Sequence, residues 1–575
     1  MIVAREDESK IHSATGVWGR VTLDQIVAKN AEGRGDHPAL VDFSDRADWT
    51  HGGAEFLTWR ELQVRVDALA AFFHAVGLAP DTVIALQMPP TIDAVVAFLA
   101  ASRAGLVVAP LALGSREAEA VETFRALGVK AIVTVASTAG ESHGERLRDV
   151  AAELFQIRFV FGAGGDLPDG LVDLRMVFDE AATLGRPPEV VRKGNPADHA
   201  LTVEVTGLPP DETAAEAGAG IAGEGTPART LPLPRSHNHW IATGLMTLLE
   251  GRIDADTVLV SPYALSGPVG IGVALVPWLL AGATLVTGLP ASTDRLVEEA
   301  VAAGATHVLT PVRFARRLID RFSAHRRSSA VVLAVAEDTA GDWPMPLGAD
   351  VVDVTVLGGY GLVARRRIDA ALQRALPIGI TGAPAETPLA PPLIETRIKA
   401  IAQRAGQMNA ARTLGGEIQV RGAMVPHFNW PSTQQDRKHR PRDTDGWMAT
   451  GLGARVVTAQ PPAFETAGRI DGSVRVGQSL IDLDALDLVY RSIDGVVDAA
   501  ALVIDDETAG GGLAAAVVPR PGLRFDAADF VAAVEAKRVG LAKLPIRVFM
   551  VPAIARGPSG RVLRAGMAQH LVARG

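Results

Sequence analysis

The sequence predicts an α/β protein: a large N-terminal α/β body with parallel sheets covered by helices, followed by a small C-terminal α+β cap domain. Short apolar strands alternate with helical segments up to about residue 357. This alternation is typical of parallel sheets that helices bury on both faces. Beyond about residue 375 the pattern changes to shorter β-type runs. A final unit mixes strands and helices, so the predicted domains are 1–470 and 471–575.

The first long helix has a clear start signal and one apolar face. T-W-R-E at 58–61 is a capping box, in which the Thr and Glu side chains satisfy free backbone N–H groups at the helix start. Leu62, Val66, Leu69 and Phe73 follow at steps of three and four. This spacing predicts a helix with one buried face.

The same patterns predict the other elements of the body. Residues 1–50 are expected to be irregular apart from a helix near Leu23–Asn30, and 207–235, rich in Pro, Gly, Ala and Thr, are expected to be one long loop. The predicted strands are Thr82–Met88, Leu106–Leu111, Ala131–Val135, Arg158–Phe161, Thr257–Pro262, Ala283–Thr287, His307–Thr310, Val331–Ala336 and Val351–Leu357, and the predicted helices are Thr91–Ala104, 116–127, Trp240–Leu249, Gly270–Leu280 and 293–303.

Composition excludes several classes of function. The chain has 575 residues with 56 Lys+Arg and 65 Asp+Glu, so its net charge is −9, which argues against nucleic acid as the partner because phosphates require a basic face. It has no cysteine, which excludes disulfides, thiolate nucleophiles and iron–sulfur clusters. No apolar run reaches the ~18 residues of a membrane span, and the charged N-terminal segment has no apolar signal core. We therefore expect a cytoplasmic protein without a membrane span.

Common motifs of nucleotide and metal sites are absent or incomplete. No G-x-x-x-x-G-K-[ST], G-x-S-x-G or H-E-x-x-H occurs in the chain. The glycine string at 218–225 lacks the preceding strand that a dinucleotide site needs, and is interpreted as a flexible loop. H-N-H at 237–239 has no third ligand nearby, so the sequence predicts no metal site. The basic run at 437–442 is interpreted as a solvated loop.

A series of short motifs, in one order along the chain, is similar to that of a known superfamily. They are L-T-W-R-E-L at 57–62, F-L-A-A-S-R-A-G at 98–105, L-A-G-A-T at 280–284, G-Y-G at 359–361, G-E-I-Q-V-R-G at 416–422, D-G-W-M-A-T-G at 445–451, G-R at 468–469 and S-G-R-V-L-R at 559–564. From about residue 20 onward the chain resembles the adenylate-forming (AMP-binding) superfamily of acyl-CoA synthetases, peptide-synthetase adenylation domains and luciferases.

The resemblance implies an acyl-CoA synthetase-like fold and a two-step reaction. A carboxylate attacks the α-phosphate of ATP to form an acyl-adenylate, and then a thiol displaces AMP. ATP or AMP and CoA are the implied cofactors. A carboxylic acid or acyl thioester is the implied ligand, CoA or an acyl carrier protein the acceptor, and fatty acid metabolism the setting. Tyr360, with Gly359 and Gly361 beside it, is implied to contact adenine, Arg469 to hold the ribose, and Gly472 to lie in the interdomain hinge.

Several positions depart from the superfamily pattern. Ala364 stands where the resemblance implies the Glu that holds Mg²⁺, and alanine offers no oxygen ligand. Val363 replaces the neighbouring Thr, Leu452 replaces the ribose-binding Asp, and Leu265 replaces the pocket His. These changes argue against Mg²⁺ binding and mark Ala364, Val363, Leu452 and Leu265 as degenerate positions.

Two arginines are left as candidates for catalytic charge. Arg561 stands at the position of the bridging lysine that the resemblance implies, and Arg229 is the one stand-in for the phosphate-loop lysine. Arginine keeps the positive charge, but its planar fork is not interchangeable with an ammonium at a tight site. The triplet Arg365–Arg367 is interpreted as a solvated turn, with an anion site as the alternative.

Three hypotheses remain open at this point. The chain is a relative that binds an acyl or acyl-thioester ligand and has lost or impaired adenylation, or it is a divergent but active acid–thiol ligase. A third alternative is ATP-independent acyl or thioester chemistry in the same cleft.

Overall fold

The structure is a computed structural model that describes most of the chain. The described residues are 1–179, 185–207, 230–324, 330–337, 350–367, 375–382, 392–400, 415–427, 430, 442–457, 462–470, 473–476, 479–504, 512–537, 539–540, 543–556 and 562–574.

Helices occur in the N-terminal part and again after residue 482. They are α1 (Glu6–Ala14), α2 (Leu23–Arg34), α3 (Arg46–Trp49), α4 (Trp59–Ala75), α5 (Ile92–Arg103), α6 (Glu117–Leu127), α7 (His143–Glu153), α8 (Arg175–Asp179), α9 (His237–Gly251), α10 (Val276–Ala281), α11 (Thr293–Ala302), α12 (Val312–Ala324), α13 (Leu483–Arg491), α14 (Ala527–Ala536) and α15 (Arg564–Arg574), with a 3-10 turn over Pro196–Asp198 and a π-helix over Pro268–Leu275.

Strands run through the whole chain. They are β1 (Pro38–Asp42), β2 (Phe56–Thr58), β3 (Val83–Gln87), β4 (Val107–Pro110), β5 (Ala131–Val135), β6 (Ser137–Thr138), β7 (Glu141–Ser142), β8 (Phe159–Ala163), β9 (Val172–Asp173), β10 (Ala200–Gly207), β11 (Thr230–Ser236), β12 (Val258–Ser261), β13 (Thr284–Thr287), β14 (His307–Pro311), β15 (Val331–Ala336), β16 (Asp350–Leu357), β17 (Gly361–Arg366), β18 (Leu376–Pro377), β19 (Gly379–Thr381), β20 (Ile394–Lys399), β21 (Gly416–Arg421), β22 (Met448–Val457), β23 (Ala463–Arg469), β24 (Val474–Val476), β25 (Ser479–Ile481), β26 (Val496–Ile504), β27 (Gly512–Pro519) and β28 (Pro545–Met550).

Two large, mainly parallel sheets form the body, as predicted. One has the order β11-β10-β4-β3-β5-β8-β9 and the other β17-β16-β15-β14-β12-β13-β1-β2. Antiparallel pairing is confined to the edges: β11 in the first sheet, and β17 and β2 in the second. Strands such as β3 and β5 are buried along their whole length, as expected where helices cover both faces of a parallel sheet. The capping box of α4 is present, with the Thr58 side chain accepting from the Glu61 N–H.

The remaining strands form smaller sheets. A third, antiparallel sheet has the order β18-β23-β22-β21-β20-β19. The C-terminal unit has the ribbon β24-β25 and the three-stranded sheet β26-β27-β28. Two apolar clusters are drawn only from residues between Val476 and Met567. The predicted small C-terminal α+β unit therefore has its own core.

Two predictions about irregular segments were wrong. Residues 1–50 also contain α1 and β1. Helix α1 has no buried residue, so it has no apolar periodicity to reveal it. In the predicted loop at 207–235, Gly207 ends β10, residues 230–235 belong to β11, and 208–229 lie outside the described residues. Pro232 and Pro234 argued against a strand, but β11 is an edge strand, where a missing N–H leaves no ladder partner unsatisfied.

Candidate functional site

A cavity of about 350 Å³ lies where the sheets of the body meet the start of the C-terminal unit. Glu204 on β10 lines it from the first large sheet, and Val356 on β16 lines it from the second. Arg469 at the end of β23 comes from the third sheet, and Arg475 on β24 from the C-terminal unit. Every major sheet of the body therefore contributes to one site.

A glycine turn presents Tyr360 to the cavity. Gly358 and Gly359 both have left-handed backbone, with φ of 62° and 81°, and both line the cavity with Tyr360. A Cβ on Gly358 would lie 2.4 Å from the Thr450 carbonyl oxygen, so only glycine allows this close approach of the turn to β22. Gly361 begins β17, where a Cβ would lie 2.8 Å from Cδ1 of Ile394. The predicted nucleotide residues Gly359 and Tyr360 thus lie together on the wall.

Arg469 reaches the same cavity across Gly451. Gly451 has a left-handed φ of 72°, and a Cβ there would lie 2.8 Å from Nη2 of Arg469. The Gly451 N–H donates to the Glu417 carboxylate at 3.0 Å, and the Thr450 hydroxyl donates to the Ile418 carbonyl at 2.7 Å. These bonds hold residues 450–451 of β22 against β21, beside the guanidinium of Arg469.

The degenerate positions do not line the cavity. Val363, Ala364 and Leu452 have no exposed surface and pack in the main apolar core of the body. Leu265 is also in this core, at 7% exposure, while its neighbours Ser266 and Gly267 line the cavity. The side chains at these four positions therefore supply no polar group to the described wall.

An ion pair that the sequence analysis missed braces two walls of the cavity. Nη1 of Arg235 lies 3.0 Å from Oε2 of Glu204, and the other arm of this guanidinium donates to the Gly359 carbonyl. Oε1 of Glu204 accepts the Gly267 N–H at 3.0 Å. The sequence signal was available, because Glu204 is the one charged residue in the strand A-L-T-V-E-V-T-G.

Arg235 itself is buried. Its side chain is 1% exposed, and its guanidinium carbon lies 4.8 Å from the ring centroid of Trp240. Burial lowers the pKa of Arg235, while the Glu204 carboxylate opposes that effect. A cation over an aromatic face gains a further favourable interaction. The charge of the buried guanidinium is therefore balanced by the Glu204 carboxylate, and its face packs on Trp240.

Two more ion pairs join the C-terminal unit to the cavity wall. Nε of Arg475 lies 2.8 Å from Glu337, and Nζ of Lys543 lies 2.9 Å from Glu119. Both glutamates line the cavity. Burial, together with the nearby Glu337 carboxylate, raises the pKa of Tyr263 well above its ordinary value, so this lining residue is a phenol at neutral pH.

The H-x-H pair has structural roles. Nδ1 of His237 accepts the Leu23 N–H at 3.2 Å, and Nδ1 of His239 accepts the Ser236 N–H at 3.1 Å. Burial lowers the pKa of His237 to about 3 and that of His239 well below its ordinary value. Both rings are therefore neutral parts of the start of α9.

The triplet at 365–367 is not a turn, which corrects one expectation, whereas of the basic run at 437–442 only Arg442 lies among the described residues. Arg442, the last residue of the run, is half-buried beside Glu8 and donates to the Gly446 carbonyl at 2.6 Å. In the triplet at 365–367, Arg366 pairs with Asp350 and Nε of Arg367 lies 2.5 Å from Asp353. The first two arginines of this triplet lie on strand β17, paired with β16, rather than in a turn.

Other candidate positions lie outside the described residues. They are Arg229, Gly472, Arg561, the glycine string at 218–225 and residues 437–441 of the basic run. In the part of the chain that the structure does describe, no helix has the length and apolar character needed to cross a bilayer.

Comparisons with known proteins agree with this architecture. The sequence model of the AMP-binding enzyme family matches residues 27–175. A salicyl-AMP ligase / salicyl-S-ArCP synthetase of Mycobacterium tuberculosis is 28% identical over 44% of this chain and 40% of its own length. The 2-hydroxy-7-methoxy-5-methyl-1-naphthoate–CoA ligase of Streptomyces carzinostaticus is 23% identical over 97% of this chain and 94% of its own length.

A solved structure shows the same fold over nearly the whole chain. The amide bond synthetase McbA from Marinactinospora thermotolerans superposes with a TM-score of 0.68 at 18% identity, covering 96% of this chain and 99% of that one. These matches confirm the predicted resemblance of the chain to acyl-CoA synthetase-like proteins of the adenylate-forming superfamily.

Proposed function

We propose that this chain binds an acyl group, as a carboxylic acid or an acyl thioester, and that its Mg·ATP-dependent adenylation is lost or impaired. In this proposal 1–470 form the binding body and 471–575 a mobile cap. The observation that carries it is the full burial of Ala364 and Leu452 in the apolar core. The superfamily resemblance implies carboxylates at these two positions. Here neither side chain supplies an oxygen atom to the part of the cavity wall that the structure describes.

The described residues do not fit a magnesium site. Mg²⁺ takes oxygen ligands in near-octahedral geometry. Within the described ranges, no group of three or more His, Asp or Glu side chains is arranged to hold a metal ion. Glu204 lines the cavity, but its two oxygens are engaged by Arg235 and the Gly267 N–H. No step of the proposal is therefore routed through the metal.

We call the part of the wall formed by Tyr360 and Arg469 the nucleotide half of the cavity. It offers some of the nucleotide-binding groups that the superfamily resemblance implies. Tyr360 offers a ring face for a base, and Arg469 offers guanidinium donors for ribose hydroxyls or for one phosphate. This set supports binding of an adenosine-type ligand without supporting transfer chemistry on a triphosphate.

The apolar residues of the wall, which we call the acyl half of the cavity, support the proposed binding of an acyl group. Leu111, Leu233, Val269 and Val356 line the cavity. The two curated relatives named above act, by their names, on salicylate and on a substituted naphthoate. We therefore propose an aryl carboxylic acid, or its thioester with CoA or a carrier protein, rather than a long fatty chain.

A ligand panel tests this proposal. The melting temperature of the purified protein is measured with salicylate, 2-hydroxy-1-naphthoate, decanoate and their CoA thioesters, and AMP release is measured with Mg·ATP and each acid. A ligand at a hundred times its Kd adds about 2.7 kcal/mol of stability. We expect an aryl ligand to raise the melting temperature and no acid to induce AMP release. Acid-dependent AMP release would contradict the proposal.

A divergent but active ligase is the second candidate, favoured by the presence of Arg469 and Tyr360 on one wall. In that case Arg229 and Arg561 supply the positive charge for the phosphates. AMP release that depends on an acid and is lost in both Arg561→Ala and Arg229→Ala would establish this function. Thioester hydrolysis without ATP would establish the third hypothesis instead.

A further inference from the structure

We propose that Glu204 makes this cavity selective for nucleotides that carry a single phosphate and against polyphosphates. The inference deepens the proposed function and rests on it, because it concerns the nucleotide half of the same cavity. It concerns a residue whose position becomes meaningful only in the folded structure.

The Glu204–Arg235 pair presents its negative end to the cavity. Glu204 is among the lining residues, while Arg235 is not and is 1% exposed. Glu119 also lines the cavity and Lys543 does not, but the two side chains of this pair are about equally exposed, at 34% and 36%. An anion in the cavity therefore meets the Glu204 carboxylate before it meets the buried guanidinium of Arg235.

The Glu204 carboxylate is held in place from both sides. Oε2 lies 3.0 Å from the guanidinium of Arg235, and Oε1 accepts the Gly267 N–H at 3.0 Å. Arg235 in turn donates to the Gly359 carbonyl on the opposite wall. Turning the carboxylate away from a bound phosphate would break this network and leave a buried guanidinium without its counter-charge, which is costly.

Among the charged side chains of the described lining, carboxylates outnumber cations by one, while Arg235 and Lys543 pair with two of those carboxylates from outside the lining. Among the described lining residues, Glu119, Glu204 and Glu337 supply carboxylates, and Arg469 and Arg475 supply guanidinium groups. Arg475 lies 2.8 Å from Glu337. One phosphate beside Arg469 is compatible with this balance, but each further phosphate adds repulsion that no described metal ligand relieves.

Titration calorimetry with adenosine, AMP, ADP and ATP, in low salt and without Mg²⁺, tests the proposal. We expect the affinity of the wild-type protein to fall from AMP to ADP to ATP. Glu204→Gln is expected to tighten ATP binding about tenfold relative to AMP and to leave adenosine within about twofold. In the wild-type protein, high salt is expected to reduce the difference in affinity between AMP and ATP, because ions screen the repulsion between the phosphates and the lining carboxylates.

Two other variants keep the test decisive. Glu119→Gln removes a lining carboxylate whose partner Lys543 is 36% exposed, so it is expected to fold and to shift the ATP/AMP ratio in the same direction. Glu395→Gln removes an ion-paired carboxylate outside the lining, 2.6 Å from Arg421, and is the control that leaves the ratio unchanged.

The possible results separate the inference from the proposed function. The inference is overturned if the wild-type protein binds ATP as tightly as AMP or more tightly. It is also overturned if the ratio of ATP to AMP affinity is unchanged in both Glu204→Gln and Glu119→Gln. Absence of nucleotide binding in all variants also overturns it, whereas ATP binding gained only in Glu204→Gln supports it. Acid-dependent AMP release overturns the proposed function and is measured separately from these affinities.

Discussion

The guanidinium of Arg469 lies directly over the α-carbon of Gly451, so closely that a Cβ at 451 would be 2.8 Å from Nη2. Gly451 also has a left-handed φ of 72°. The left-handed backbone therefore favours glycine at this position, and an added Cβ would push the end of the Arg469 side chain aside.

Gly451→Ala is expected to lose ligand binding as well as stability. The left-handed backbone costs a non-glycine residue about 1–2 kcal/mol, and the new methyl group displaces Arg469 from the wall. Urea unfolding and AMP calorimetry measure the two effects. The matched control is Gly522→Ala, where φ is 83° and an added Cβ would have no neighbouring atom within 4 Å. It is expected to lose similar stability but keep AMP affinity, and equal affinity in both variants would refute the proposed role of Arg469.

Arg235→Met is expected to destabilise the protein by about 3 kcal/mol, because it leaves the Glu204 carboxylate without its partner in a mostly buried setting. Arg235→Lys is expected to recover part of the loss by restoring the charge. Arg455, 63% exposed and paired with Glu465, provides the comparison. Arg455→Met is expected to change the free energy of unfolding by less than about 1 kcal/mol. Equal losses in the two methionine variants would show that the buried pair has no special weight.

Ala364→Glu is expected to unfold the body rather than to restore a magnesium ligand. Ala364 has no exposed surface and lies on β17 opposite Val354, so a carboxylate there is buried without a partner and costs several kcal/mol. The control Val456→Glu adds the same carboxylate at a position on β22 that is 46% exposed. Thermal unfolding and Mg·ATP calorimetry provide the readout. A stable Ala364→Glu variant that binds Mg·ATP would show that the position reaches the site.

His237 is expected to make the fold acid-sensitive. Its folded pKa of about 3 lies below the ordinary value of 6.5, so the folded state binds fewer protons than the unfolded state between these values. Its contribution to stability is therefore complete above pH 6.5 and is lost as pH falls toward 3, by up to about 1.4 kcal/mol per pH unit.

Urea unfolding between pH 7.5 and 5 measures this effect. His237→Asn keeps an acceptor for the Leu23 N–H and is expected to flatten the pH dependence by the contribution of one histidine. His37→Asn, at an exposed position, is expected to leave the slope unchanged. If the free energy of unfolding changes with pH equally in His237→Asn and in the wild type, the acid sensitivity does not come from His237.

Local patterns predicted much of the body. Helix caps and buried strands need particular residues close together in the chain. The capping box at 58–61 and the apolar runs of β3 and β5 could therefore be predicted from the local sequence. Patterns failed where a segment had no periodicity of its own, as in α1. They also failed where the tertiary position removed the reason for a local rule, as for the prolines of the edge strand β11.

The amino-acid sequence alone was enough to predict the α/β class and to show the motif order that resembles the adenylate-forming superfamily. It also shows that positions 364 and 452, where this resemblance implies acidic residues, hold Ala and Leu. The folded structure was needed to show that the side chains of Ala364 and Leu452 lie in the apolar core, and that Glu204, Arg235 and Gly359 meet beside one cavity. Glu204 lies on a strand of the first large sheet, and Gly359 lies in the turn between β16 and β17 of the second. The charge that the cavity wall presents depends on which end of an ion pair faces inward. That orientation is set by packing between distant segments, and no local pattern in the chain encodes it.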